Sequence, residues 1–220
     1  MWQKNIYRAS YRVCTLPVYI GVGLVKLVGY SSVVEDFNRC VNAVYSLQAK
    51  NGDVISDSLV RALVVAEDHR NDLHFGVDPL AIIRALKVRL VEGKRQGAST
   101  VEQQFVRVVT ERFEKTPRRK LREQILAVMI SSAFSKGELA RSYLKVAYYG
   151  ASLVGVRGVE RLKFGSFPAS DTAIIAYLKY PKISDPDGVV AANHLIRVKH
   201  INNLLSDKKF TSYLVGGGLV

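Results

Sequence analysis

The chain has 220 residues, 48% hydrophobic and 23% charged, and its 32 Lys and Arg against 19 Asp and Glu give a net charge of +13. That is ample apolar material for one cored domain and excludes a disordered chain, while the basic excess favours an anionic partner: nucleic acid, lipid headgroups or a pyrophosphate. Two cysteines and four histidines fall in no ligand spacing, which excludes a predicted zinc site or disulfide framework. Cys14, inside an apolar run, reads as a small buried residue.

Val13 to Tyr30 is apolar apart from Thr15 and Lys26. A spanning helix needs about 20 apolar residues. The run is therefore a borderline membrane anchor, with an interfacial or buried helix as the alternative. Lys4, Arg8 and Arg12 precede it and Glu35 and Asp36 follow, an order that leaves the N-terminus in the cytoplasm and the remainder outside. No small-residue cleavage site follows, which argues against a removable signal peptide. The division predicted is an apolar segment over 1–34, a candidate anchor, and a domain over 35–220.

From about residue 35 onward the pattern is one of helices joined by short capped turns. Glu35–Ala49 is stopped by Asn51-Gly52, and Ser56 with Asp57 opens a helix carrying Leu59, Val60, Leu63 and Val64 toward Glu67. Asp78 followed by Pro79 starts a helix to about Val91. Ser99 with Glu102, and Ser135 with Glu138, form capping-box patterns. Thr116-Pro117 starts a helix through Phe134, and later starts fall near Ser170 and Asp187. No sustained alternation predicts a sheet, so the predicted fold class is all-α.

The candidate chemistry lies in the middle of the chain. Glu67 shares an apolar helical face with Val60 and Val64. A carboxylate against apolar neighbours has its charged form disfavoured, a setting that suits a general base or acid. The alternative is a helix-end acid turned to solvent or paired with Arg61 or Arg70. Glu123 lies one turn before Ala127, two before Ile130, and one after Arg119, whose guanidinium would hold the carboxylate ionised and reach a phosphate. The alternative there is an ordinary intrahelical ion pair. Thr100, Gln104 and Arg107 fall on one helical stripe just after Gly97-Ala98-Ser99. A hydroxyl, an amide and a guanidinium leading from a helix N-terminus make a diphosphate cradle, or else a solvated polar face. His74 polarises a substrate or packs locally. Asp68 hydrogen-bonds the following turn, and Asp78 does nothing beyond capping. His69, His194 and His200 carry no spacing argument.

Three of these stretches resemble motifs of the peptidoglycan glycosyltransferases, glycosyltransferase family 51. Glu67-Asp68 through His74, Gly76 and Asp78 is similar to the first motif, whose Glu is the catalytic base. Gly97-x-Ser99-Thr100-x-x-Gln103-Gln104 resembles the second, which binds phosphates and sugars, and Arg119-Lys120-x-x-Glu123 the third, with the second essential carboxylate. Lys136 through Tyr143-Leu144 to Gly150 resembles the fourth, Phe164-Gly165 and Thr172 to Pro181 follow in order, and Arg197 to Leu205 is a weak fifth. The likeness covers roughly residues 55–205, and ordered motifs are more specific together than singly.

What the resemblance implies is a mostly helical, lysozyme-like fold with a membrane-associated subdomain. The implied catalytic residues are Glu67, as general base, and Glu123. The implied substrate-binding residues are Asp68, His74, Ser99, Thr100, Gln103, Gln104, Arg107, Arg119 and Lys120. The implied reaction is inverting: a lipid-pyrophosphoryl glycan passes to the 4-hydroxyl of a lipid-linked disaccharide. Glu123 would hold a divalent cation (Mg or Mn) if one is used. The implied partners are the lipid-linked precursor, the growing glycan, the membrane and other cell-wall synthesis proteins, not nucleic acid. The implied location is the bacterial inner membrane, with the domain on its outer face. At this length the chain lacks room for a transpeptidase domain and resembles the monofunctional form. The departures are Asn71 for a usual Phe, Arg107 for Lys, Val108 for Asn, and Arg141 and Lys145 for Glu and Asn. The last two motivate the alternative function, a catalytically weak homologue that binds precursor or scaffolds wall synthesis.

Overall fold

The computed structural model describes residues 2–49, 54–94, 96–184 and 188–207. Helices α1 (Trp2–Cys14), α2 (Leu16–Val28) and α3 (Ser31–Ala49) are followed by α4 (Asp57–Glu67), α5 (Pro79–Glu92) and α6 (Val101–Val109). Then come α7 (Pro117–Ser131), α8 (Lys136–Leu144), a hairpin of β1 (Tyr148–Gly150) and β2 (Leu153–Val154), α9 (Gly155–Phe164), α10 (Asp171–Ala176) and α11 (Val189–Ser206). The all-α class holds; the short hairpin is what periodicity missed, because strands this short show no alternation.

Most predicted helix starts carry real caps. The side chains of Ser56, Asp78, Thr116 and Ser170 accept the backbone N–H three residues on. Ser135 and Glu138 exchange both bonds of a capping box. The cap of α6 is Thr100 rather than Ser99, one residue later than predicted. Ser99 is unavailable because its hydroxyl accepts from Arg107 and Lys120. Helix α7 stops at Ser131, short of Phe134, where the next residues close as tight turns onto Met129 and Ile130. The Asn51-Gly52 stop and the Asp187 start lie outside the described residues.

The apolar run from Val13 is not one helix. It breaks at Thr15, whose hydroxyl donates back to the Tyr11 carbonyl at 2.7 Å, and Pro17 opens α2. Among the described residues no single helix is long and apolar enough to cross a membrane; α1 and α2 pass that test only together, bent by 64°. Cys14 is exposed and Cys40 is the buried cysteine, the reverse of the reading for Cys14: Tyr11 and Thr15 take the buried side of that turn and Cys14 lies on the other.

The described residues form two compact units. The first comprises Met1–Tyr45 and Arg70–Leu139, so the predicted boundary at residue 34 falls inside α3. Here α7 is the central helix, with α2 and α6 packed on it. Val18 and Val22 of α2, Phe105 and Val106 of α6, and Leu126 and Ile130 of α7 are buried. At Gly21 a Cβ would lie 3.2 Å from Ile125, so the small residue lets α2 close on α7. Asp36 ties α3 into the unit by accepting from both Arg112 and Arg122.

The second unit comprises Ser46–His69 and Ala140–Val220. In it α4 packs on α10 and α11 through buried Leu59, Leu63, Ile174, Ile175 and Ile201. The hairpin is held by Gly150, at φ +148°, where a Cβ would lie 2.2 Å from the Lys182 carbonyl oxygen.

Candidate active site

The first unit gathers most of the predicted substrate-binding residues around one carboxylate. Glu123 is 3% exposed. Its Oε2 accepts from Arg107 Nε at 3.0 Å and from Arg119 Nη1, and its Oε1 from Arg107 Nη2 at 3.0 Å and Lys120 Nζ at 2.6 Å. The Arg107 fork is the bidentate geometry that gives guanidinium–carboxylate pairs their strength. Burial is the largest single influence on Glu123 and would raise its pKa. The Arg107 hydrogen bonds and the Lys120 charge together outweigh it and hold the carboxyl below its ordinary value. Lys120 is also held below its ordinary value: burial lowers it, Glu123 opposes that, and Arg107 and Arg119 add to the lowering.

Ser99 extends the cluster, accepting from Arg107 Nη2 at 3.0 Å and Lys120 Nζ at 2.9 Å. Lys120 also reaches Gln103 Oε1. The predicted stripe of Thr100, Gln104 and Arg107 is only partly realised. Arg107 and Gln104 are half-buried. Thr100 is buried, caps α6 and donates to the Gly76 carbonyl at 2.8 Å. Gln103 is buried and donates to the same carbonyl at 3.0 Å. Gly76 itself has φ +88°, and a Cβ there would lie 2.5 Å from the Ala127 backbone on α7, so only glycine fits this turn. Thr100 and Gln103 thus hold the first motif to the second rather than reach for a ligand.

Three cationic heads on one buried acid leave a local surplus of positive charge with several N–H donors. That arrangement suits an incoming dianion. It does not suit Glu123 as a metal ligand, since both of its oxygens are already taken by cations.

A second polar cluster in this unit was not predicted. Glu102, read from sequence only as a capping partner, is fully buried and accepts from Lys136 Nζ; Asn71 lies at 3.5 Å. Lys136 Nζ also lies 3.4 Å from Nδ1 of the buried His74. His74 and Glu102 are both metal-ligating types, and the cation that touches the two of them is Lys136. The signal for Glu102 was its place beside Val101, Phe105 and Val106 on the buried side of α6. Asp78 caps α5 as predicted and, beyond that reading, also pairs with Arg70 at 2.9 Å.

In the second unit Glu67 ends α4, on the predicted apolar face. Its carboxylate is not left against apolar groups alone. Oε1 accepts from Arg197 Nη2 at 2.9 Å, and the same nitrogen donates to the Ala66 carbonyl at 2.7 Å. The partner expected from local spacing was Arg61 or Arg70; Arg197, a partner that spacing did not suggest, comes from α11, far along the chain. Asp68 is buried and occupies the C-cap of α4.

The family described as Transglycosylase matches residues 37–187 of this sequence. The chain belongs to the transglycosylase family. Its relatives include penicillin-binding protein 1A of Aquifex aeolicus, 31% identical over 154 residues, or 66% of this chain and 21% of that protein. Penicillin-binding protein 1A of Escherichia coli is 35% identical over 154 residues, covering 66% of this chain and 18% of that protein. A putative transglycosylase of Cupriavidus necator is 32% identical over 137 residues, 60% of this chain and 59% of that protein. The matched part is thus about a fifth of the length of the two penicillin-binding proteins.

Within this transglycosylase chain the fourth-motif departures have a structural account. Arg141 donates to the Ile55 carbonyl and to Asp57, and Lys145 donates to the Leu47 carbonyl at 2.9 Å. Both cations are spent tying the segment around the start of α4.

Proposed function

We propose that this chain polymerises peptidoglycan glycan, moving a lipid-pyrophosphoryl-linked glycan onto the 4-hydroxyl of a lipid-linked disaccharide acceptor. The observation that carries the reading is the surplus of cationic donors from Arg107, Arg119 and Lys120 around one buried carboxylate, Glu123. The leaving group of this reaction is a pyrophosphate, whose bridging oxygen gains negative charge as the anomeric C–O bond breaks. Fixed cationic donors stabilise charge that develops in the transition state more than charge already present in the ground state.

In this reading Glu67 is the general base. It takes the proton of the acceptor 4-hydroxyl as that oxygen attacks the anomeric carbon, with inversion. Glu123 keeps the three cationic heads in register, and Ser99, Gln104, Arg107, Arg119 and Lys120 hold the phosphates. Asp68 and His74 support the first-motif segment. No divalent cation is placed on Glu123.

A membrane seat is part of the proposal. In the first unit α2 exposes Leu16, Ile20, Leu24, Leu27 and Val28, and α5 exposes Leu80, Ile83, Leu86, Leu90 and Val91. Exposed cations Arg12, Lys26, Lys87 and Arg89 lie among them, the pairing of apolar face and basic rim that anionic bilayers bind. A groove of about 780 Å³ between Leu16, Tyr19 and Val22 and the Phe75 and Val128 side chains adds apolar surface there. The proposed location is the outer face of the bacterial inner membrane, with the precursor, the growing glycan and other cell-wall synthesis proteins as partners.

The decisive test is polymerisation of labelled lipid-linked disaccharide precursor in detergent, with Glu67→Gln beside the parent. Long glycan from the parent and at least about a hundredfold less from the variant is expected, as for loss of a general base. Precursor bound by both proteins with polymer from neither would replace this reading with a binding or scaffolding role.

A further inference from the structure

Arg197 has the most pointed placement of the charged groups outside the Glu123 cluster. It sits on α11, in the weakest of the motif resemblances, yet its Nη2 bridges Glu67 Oε1 and the carbonyl of the residue before it. Its side chain is 14% exposed and that of Glu67 19%, so the pair is largely withdrawn from water.

Glu67 is the last residue of α4. The final carbonyls of a helix lack intrahelical partners, and the negative end of the helix dipole disfavours a carboxylate there. Arg197 answers both problems with one group. It satisfies the Ala66 carbonyl and sets a fixed cation against the carboxylate, which offsets the dipole.

Other titratable groups of α10 and α11 are engaged elsewhere or exposed. Asp171 of α10 accepts from Ser58 and pairs with Lys163. Tyr177 stacks on His194, whose Nε2 lies 2.9 Å from the Ala173 carbonyl. Lys199 and His200 of α11 are exposed. Arg61, on α4 itself, lies almost two turns before Glu67.

We propose that Arg197 is a positioning residue for the reaction: by bridging the Ala66 carbonyl and Glu67 Oε1 it fixes the base in orientation. This rests on the reading of Glu67 as general base. A base must be deprotonated before it can accept the hydroxyl proton, and it must be aimed within hydrogen-bond reach of it. Arg197 touches neither sugar nor phosphate in this role and acts through Glu67 alone.

The test uses the full chain and four variants: Arg197→Gln, Arg197→Lys, Glu67→Gln and the Arg197→Gln/Glu67→Gln double. The readouts are kcat and KM for polymerisation. Arg197→Gln is expected to lower kcat about tenfold or more with KM changed less than about threefold, the pattern of a lost transition-state contribution. Arg197→Lys should recover only part of kcat, because the charge is kept while the nitrogen that bridges Ala66 and Glu67 is carried on a stem of different length and direction. The double variant should be no slower than Glu67→Gln alone.

A defect confined to KM would overturn the proposal, as would a double variant clearly slower than Glu67→Gln alone, since Arg197 would then act on something other than the base. If Arg197→Gln does not fold, parental kcat in Arg197→Lys would overturn it, because a displaced bridge must cost rate. Parental turnover by Glu67→Gln would sink the base reading itself. A dead Glu67→Gln beside a parental Arg197→Gln would sink the positioning role and leave the base standing.

Discussion

Glu123 is met by three cationic side chains at both carboxylate oxygens, whereas Glu67 Oε1 accepts from a guanidinium of another helix, Arg197. The first is almost fully buried and the second half-buried. A carboxylate saturated by cations has little affinity left for a proton, so Glu123 is suited to organising charge. Glu67 is the more exposed of the two and is the one that an acceptor hydroxyl can approach in the proposed reaction. In that reading the two acids divide the work, Glu123 organising cations and Glu67 taking the proton.

The largest effect expected on the structural side is at Glu123. Glu123→Ala strands three cations around an emptied site. Removing one partner of a buried ionic cluster costs about 3–5 kcal/mol, and because Arg107 and Lys120 keep 30% of their side-chain surface the loss should sit near the lower end. Urea unfolding reads it directly, and a midpoint unchanged from the parent would break the contrast between the two acids.

The pH dependence sharpens the same contrast. The folded pKa of Glu123 lies below the ordinary value of 4.5, so the folded state binds fewer protons there than the unfolded chain. Its contribution to stability is complete above the ordinary value and is lost as pH falls through the lower folded one. Lys120 has the opposite sense. Its folded pKa lies below 10.5, so it carries a penalty at neutral pH that is relieved as pH rises through the window beneath that value. Urea midpoints measured from neutral to acid pH should fall more steeply for the parent than for Glu123→Gln.

A smaller loss belongs to Thr100. Thr100→Ala removes both the α6 cap and one donor to the buried Gly76 carbonyl, for about 1–2 kcal/mol. Thr100→Ser should be close to parental. An alanine variant as stable as the parent would mean that the cap is idle and that the hydroxyl is reserved for ligand. The smallest effect is a labelling difference. Cys40 is fully buried, and burial, helped by Asp36 and opposed by Arg39, pushes its thiol up to about 12. Cys14 is exposed, so a thiol reagent at neutral pH should modify Cys14 in the native protein and Cys40 only on unfolding.

Local chemistry was legible in the sequence wherever it was decided locally. Asp78-Pro79, Thr116-Pro117 and Ser170 start their helices as their residue types predict, because a cap acts within one turn. Ser99 misled for the same reason: as an N-cap it loses only because Arg107 and Lys120 claim its hydroxyl from a turn and a helix away. Arg119 was readable as a partner of Glu123 by its i−4 spacing. Arg107 and Arg197 as partners of Glu123 and Glu67 were not, since neither lies within a helical turn of its acid. The bend at Thr15 was hidden by composition, which counts apolar residues and does not register a hydroxyl donating back along the helix. Glu102 was masked by a capping pattern that the chain does not use.

Gly76 constrains how this chain could be changed. A carbonyl oxygen has two lone pairs, and at Gly76 one serves Thr100 and the other Gln103. With the glycine also wedged against the α7 backbone, two of the motif's polar residues are anchored to scaffold and cannot be recruited to a new substrate without loosening the turn. In the proposed reaction, retuning the donor is easiest at Ser99 and Gln104, which leave the Glu123 ion pairs and the Gly76 turn standing, whereas changes at Arg107 or Lys120 take a partner from a buried carboxylate.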